Sequence, residues 1–136
     1  MSAAAVLTPL PRLSAGLEHD DAFEIIDGVR VEVTPMSADS QVIASRLARH
    51  LSNHGIDAGV GEAYCEVLFK LPLNRDRNRK PDVAFVPYAR WKKNRPVPST
   101  NVWDVLPDLF VEVVSPFDLA EDTRVKVEEY LEAGAR

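Results

Sequence analysis

Two short apolar runs in this chain each carry a carboxylate, and that pairing restricts the fold more than any other feature. Pro81-Asp82-Val83-Ala84-Phe85-Val86 has an acid at its head, and Leu109-Phe110-Val111-Glu112-Val113-Val114 has one in its middle. Short runs rich in β-branched residues read as buried strands. A carboxylate among such residues loses hydration, so folding resists it unless something positive compensates. Two acids on neighbouring strands suit a divalent, oxygen-preferring cation such as Mg2+.

The chain has 136 residues, enough for one domain with a real core, and its 46% apolar and 27% charged residues are ordinary for a globular protein. A lone cysteine, Cys65, excludes an internal disulfide framework and makes a reducing cytoplasm the natural setting. Residues 1–20 read as a flexible N-terminal arm, alanine-rich but without the basic leader and apolar core of a signal peptide, and residues 21–136 as the folded domain. No run is long enough to cross a membrane. The net charge of −5 hides an asymmetry: eight basic residues face two acidic ones between Arg75 and Arg95, so that stretch carries +6 and the remainder −11. Arg75, Arg77, Arg79, Lys80, Lys92 and Lys93 are therefore candidate contacts for a phosphate backbone, the alternative being a solvated loop.

Asp27-Gly28 between Phe23-Glu24-Ile25-Ile26 and Val29-Arg30-Val31-Glu32-Val33 is a strong hairpin signal. Ser37 or Asp39 then caps a helix whose apolar residues Val42, Ile43, Leu47 and Leu51 follow a helical period, with Asn53-His54-Gly55 as its end. Cys65–Leu71 reads as a strand with Glu66 near its start, 74–80 as a polar turn, 88–93 as a helical turn and 94–100 as a proline-bearing loop. The last helix starts at Ser115-Pro116-Phe117-Asp118 and runs to Ala133 before Gly134, with Leu119, Thr123, Val127 and Tyr130 as its inward face. Lys126 lies at the edge of that face. It either snorkels to water or aims its ammonium at a carboxylate cluster, where it would stabilise developing negative charge. Arg124, Glu128 and Glu129 read as solvated. His19, His50 and His54 are scattered, and Trp91 and Trp103 read as packing residues rather than base-stacking platforms.

Pro81-Asp82-Val83, then Pro107-Asp108-Leu109-Phe110-Val111-Glu112-Val113-Val114-Ser115-Pro116, then Asp122 through Lys126 to Tyr130-Leu131-Glu132-Ala133-Gly134 resemble the Uma-type family of putative restriction endonucleases, within the PD-(D/E)XK nuclease superfamily. The hairpin Glu24-Ile25-Ile26-Asp27-Gly28 shares in the resemblance. It implies an α/β, restriction-endonuclease-like fold, a mixed sheet flanked by helices, and Mg2+- or Mn2+-dependent hydrolysis of phosphodiester bonds, in DNA before RNA. Asp82 would be the metal-binding aspartate and Glu112 the second acid, with the Val113 backbone carbonyl completing the protein's share of the shell. Val114 stands where the superfamily signature has lysine, and Lys126 on the following helix takes that role. Glu66 and Ser115 would be accessory positions. Gln41, or Ser40 beside it, stands where many relatives carry a helix histidine. Relatives continue past Gly134 into a further strand, so the resemblance implies a sheet short of its last C-terminal strand: either the domain is C-terminally truncated or a partner supplies that strand, with a homodimer as one way to cover the edge.

Two other readings compete. The chain is an inactive module that keeps the fold and binds nucleic acid or a protein, or it is a structural homodimer built on the open edge. At the level of single residues, Asp82 could cap a turn after Pro81 and Glu112 could pair with a lysine in the sheet.

Overall fold

The computed structural model describes residues 22–136. The expected N-terminal arm and His19 lie outside the described residues. The elements are β1 (Phe23–Ile26), β2 (Val29–Glu32), α1 (Ala38–Asp57), β3 (Gly61–Cys65), β4 (Leu68–Lys70), β5 (Arg77–Arg79), β6 (Val83–Pro87), β7 (Val102–Trp103), β8 (Leu109–Val111) and α2 (Ala120–Ala133). The strands form two sheets, β2-β1-β5-β4-β7 and β3-β6-β8, antiparallel except where β4 pairs with β7. The expected α/β class with a mixed sheet is therefore present, divided in two. Among the described residues no helix is long and apolar enough to cross a membrane.

The first hairpin forms as its residues dictate. Asp27 and Gly28 both take positive φ, +52° and +78°, the backbone of a two-residue turn whose twist matches the strands. β6 is the buried centre of the smaller sheet: Val83 packs against Ala44 and Ala48 of α1, while Ala84 and Val86 pack with Phe69, Trp103 and Val105. A strand covered on both faces explains why its sequence is continuously apolar. Trp103 lies edge-on to Tyr64 and Trp91 and stacks on Phe69, so both tryptophans are packing residues.

Several expectations are corrected. α1 does not end at Gly55 but passes through it to Asp57. Gly55 is there for closeness: a Cβ on it would lie 2.5 Å from the Gly61 carbonyl oxygen and 2.6 Å from the Phe85 ring. The inward face of α1 is accordingly Ser40, Ala44, Ala48 and Gly55, with Leu51 packed beside them as expected, while Val42 and Ile43 are exposed. Cys65–Leu71 is two strands, broken at Glu66, which takes a φ of +52°. The supposed polar turn 74–80 contains β5, the central strand of the larger sheet. α2 starts at Ala120, because 115–118 closes into a turn in which the Asp118 carboxylate accepts the Ser115 N–H at 2.6 Å. Its face differs in part: Tyr130 is buried as expected, but with Glu129 and Ala133, and Leu119 and Val127 are exposed. Gly134 ends α2 in the left-handed conformation, as expected.

Candidate active site

The backbone register brings the two acids together. β6 and β8 pair antiparallel with Val83 opposite Val111 and Ala84 opposite Phe110, so the next pair in that register is Asp82 opposite Glu112. Directly opposed residues project from the same face with Cβ atoms about 5 Å apart, and like charges so placed are destabilising unless compensated. Asp82 Oδ2 accepts the Val113 N–H at 2.5 Å, which fixes the peptide that follows Glu112. Burial pushes the Asp82 carboxyl above its ordinary range, against the pull of the Val113 N–H and the Lys126 ammonium. Burial pushes Glu112 further, up to about 7, although Lys126 and the Tyr130 hydroxyl both favour its anion.

α2 supplies the compensation from one face. Lys126 and Tyr130 are four residues apart and so project together. The Tyr130 hydroxyl donates to Glu112 Oε1 at 2.5 Å, and its ring stacks on Phe110 with centroids 4.1 Å apart. Lys126 Nζ lies 3.7 Å from Glu112 Oε2 and 3.2 Å from Glu24 Oε1. Of the two readings open for Lys126, the structure shows the inward one.

Sequence reasoning missed Glu24, Tyr130 and Glu129 as members of this centre. Glu24 is 3% exposed; its Oε2 receives Arg79 Nη1 at 2.7 Å and its Oε1 the Lys80 N–H at 3.0 Å. Glu129, expected to be solvated, is 4% exposed and receives Arg79 Nε at 2.6 Å and Arg77 Nε at 2.7 Å. Burial opposes its charge, yet Arg79 and Arg77 hold it below its ordinary value. Arg77 also reaches Asp27 at 2.9 Å. Alternating charges thus run from Asp27 through Arg77, Glu129, Arg79, Glu24 and Lys126 to Glu112. The signal available for Glu24 was its place in the hairpin, an acid one residue from each of two apolar neighbours; for Tyr130 it was the four-residue step from Lys126.

The candidate phosphate contacts divide. Arg77 and Arg79 are corrected: their guanidiniums are spent inside the fold on Glu129, Glu24 and Asp27, because a buried arginine must be paired. Arg75 pairs at the surface with Glu132 at 2.7 Å. Lys80 and Glu66 line a cavity of about 310 Å³ that Asp82 does not line, although the Glu66 N–H meets the Asp82 carbonyl at 3.3 Å. Lys92 and Lys93 are exposed in the loop beyond the far end of β6. Five residues of strand put that end roughly 16 Å from Asp82. Ser115 is turned to the 115–118 loop, its hydroxyl accepting the Phe117 N–H at 3.3 Å. His50 and His54 are exposed on α1.

The donor chemistry suits a hard dication. Among the described residues no group of three or more His, Cys, Asp or Glu side chains is gathered to hold a metal. Asp82 and Glu112 nevertheless offer carboxylate oxygens whose charge is poorly hydrated, and Mg2+ is commonly held by one or two carboxylates with water completing its shell.

The model of the Uma2 family, described as putative restriction endonuclease, matches residues 9–136. No curated protein matches. Solved structures similar to this chain include the crystal structure of a putative nuclease belonging to DUF820 from Anabaena variabilis ATCC 29413, with a TM-score of 0.70 and 17% identity. The match covers 85% of this chain and 63% of that one, so the present chain spans less than two thirds of that relative's length. At that identity the likeness establishes a shared fold.

Proposed function

Given that the chain belongs to the Uma2 family of putative restriction endonucleases, we propose that it is a Mg2+- or Mn2+-dependent nuclease that hydrolyses phosphodiester bonds, with DNA as substrate. The observation that carries this reading is the convergence of Asp82, Glu112 and Lys126 from the adjoining ends of two paired strands and from a helix. Asp82, Glu112 and the Val113 carbonyl would hold the ion. When bound, it polarises the scissile phosphate and lowers the pKa of a coordinated water. The chain's own groups prepare the rest. The Val113 N–H and the Tyr130 hydroxyl each fix one carboxylate's orientation. Lys126, with its side chain only 18% exposed, keeps a partly desolvated ammonium beside the reacting phosphate, where charge stabilisation is strongest.

The internal commitment of Arg77 and Arg79 leaves Lys80, Lys92 and Lys93 as the cations of the basic stretch best placed for a phosphate backbone. The inward ammonium of Lys126 favours an active centre over an inactive module, since nothing about nucleic-acid binding alone requires a lysine between two buried carboxylates. The reading is tested by titrating Mn2+ into the wild type and Asp82→Ala, followed by cleavage of plasmid DNA. Mn2+ binding and cleavage in the wild type, both lost in a folded Asp82→Ala protein, are the expected result. Undiminished cleavage by Asp82→Ala would reject it.

A further inference from the structure

Resting on the metal-dependent reading, we infer that Glu24 is a positioning residue that tethers Lys126 and keeps its ammonium out of the seat between Asp82 and Glu112. The distances rank the two partners: Lys126 Nζ is 3.2 Å from Glu24 Oε1 and 3.7 Å from Glu112 Oε2. The nearer carboxylate is also the immobile one. Glu24 is 3% exposed, bonded through Oε2 to Arg79 and through Oε1 to the Lys80 N–H, and Arg79 is in turn held by Glu129. Glu112 is held by the neutral Tyr130 hydroxyl, with Lys126 its nearest cation.

Without Glu24, the strongest remaining attraction on a buried ammonium is the pair of opposed carboxylates. Lys126 would move onto Glu112 and neutralise the charge that a dication needs. Ammonium and metal ion compete for the same oxygens, so the tether determines which of them Glu112 serves. β1, the strand that carries Glu24, thereby becomes part of the site although it contributes no atom to the metal shell.

A double-mutant cycle separates this role from a structural one. Mn2+ affinity is measured by calorimetry for the wild type, Glu24→Gln, Lys126→Met and the double variant, each shown to be folded by circular dichroism. A tether acting through Lys126 predicts a loss on the order of ten-fold for Glu24→Gln and less than about two-fold for the same change in the Lys126→Met background, the size of coupling seen between contacting charged groups. Equal losses in both backgrounds would mean that Glu24 acts by its own charge, and no loss in either that it only supports the fold; each overturns the inference. Should Glu24→Gln unfold, Glu24→Asp takes its place, keeping the charge for Arg79 while withdrawing it from Lys126, with a smaller loss expected in the same direction.

If the wild type binds no Mn2+, the metal-dependent reading fails, and a metal-free arm then decides the tether. Thermal unfolding is compared across Glu24→Gln with Lys126→Met and across Glu112→Gln with Lys126→Met. Stronger coupling of Lys126 to Glu24 than to Glu112 is expected; equal or weaker coupling refutes the tether.

Discussion

Glu112 should make the metal-free protein less stable than it would be without that charge. Burial lifts its carboxyl from an ordinary 4.5 to about 7, and its side chain is 15% exposed, so solvent screens it little. Between those two values the folded chain holds a proton that the unfolded chain has released. Stability therefore falls as pH rises from about 4.5 to about 7 and is level above that, the reverse of a salt-bridged acid. At about 1.4 kcal/mol per pH unit, the span amounts to about 3 kcal/mol. Glu112→Gln keeps the shape and an oxygen for the Tyr130 hydroxyl but cannot ionise. It should match the wild type near pH 4.5 and exceed it by up to about 3 kcal/mol at pH 8, in chelator-treated protein unfolded with urea and followed by circular dichroism. Added Mn2+ should narrow the gap at pH 8 by stabilising only the wild type. A constant difference between the two proteins from pH 4.5 to 8 would refute the account of Glu112 as a carboxylate held at the expense of stability for binding.

Three further outcomes are expected. Tyr130→Phe keeps the stack on Phe110 but leaves Glu112 Oε1 without its donor, and should lower stability by about 1–3 kcal/mol in urea at pH 8. Gly55→Ala drives a methyl into the Gly61 carbonyl and the Phe85 ring and should destabilise by about 1–3 kcal/mol, despite alanine's better helix propensity; an unchanged or raised Tm would contradict the close approach of α1 and β3. Replacing Lys92 and Lys93 together by Ala should reduce the slope of log affinity for duplex DNA against log salt by roughly 2, measured by fluorescence anisotropy, whereas an unchanged slope would remove that loop from the DNA path.

Much of what depends on near neighbours was legible in the chain. Asp27-Gly28 specified its turn, Gly134 its helix end, and the β-branched runs around Asp82 and Glu112 their strands, because each is a local preference of backbone or solvation. Lys126 was legible as an inconsistency, a lysine beside an apolar stripe. The inner faces of both helices were misread in part, for opposite reasons. α1 is buried mainly through the small residues Ser40, Ala44, Ala48 and Gly55, with Leu51 packed at their margin, which leaves Val42 and Ile43 outside. α2 lies over a charged network, so its inner face carries Lys126, Glu129 and Tyr130 while Leu119 and Val127 point away. A hydrophobic pattern assumes an apolar interior and inverts where ion pairs fill it. The same inversion hid β5, whose arginines look like a solvated turn until Glu24 and Glu129 arrive to pair with them. Sequence by itself determined which groups had to be compensated. Which partners do so, Glu24 for Lys126 or Asp82 opposite Glu112, was decided only by tertiary structure, because an ion pair depends on distance in space and those residues lie 102 and 30 positions apart in the chain.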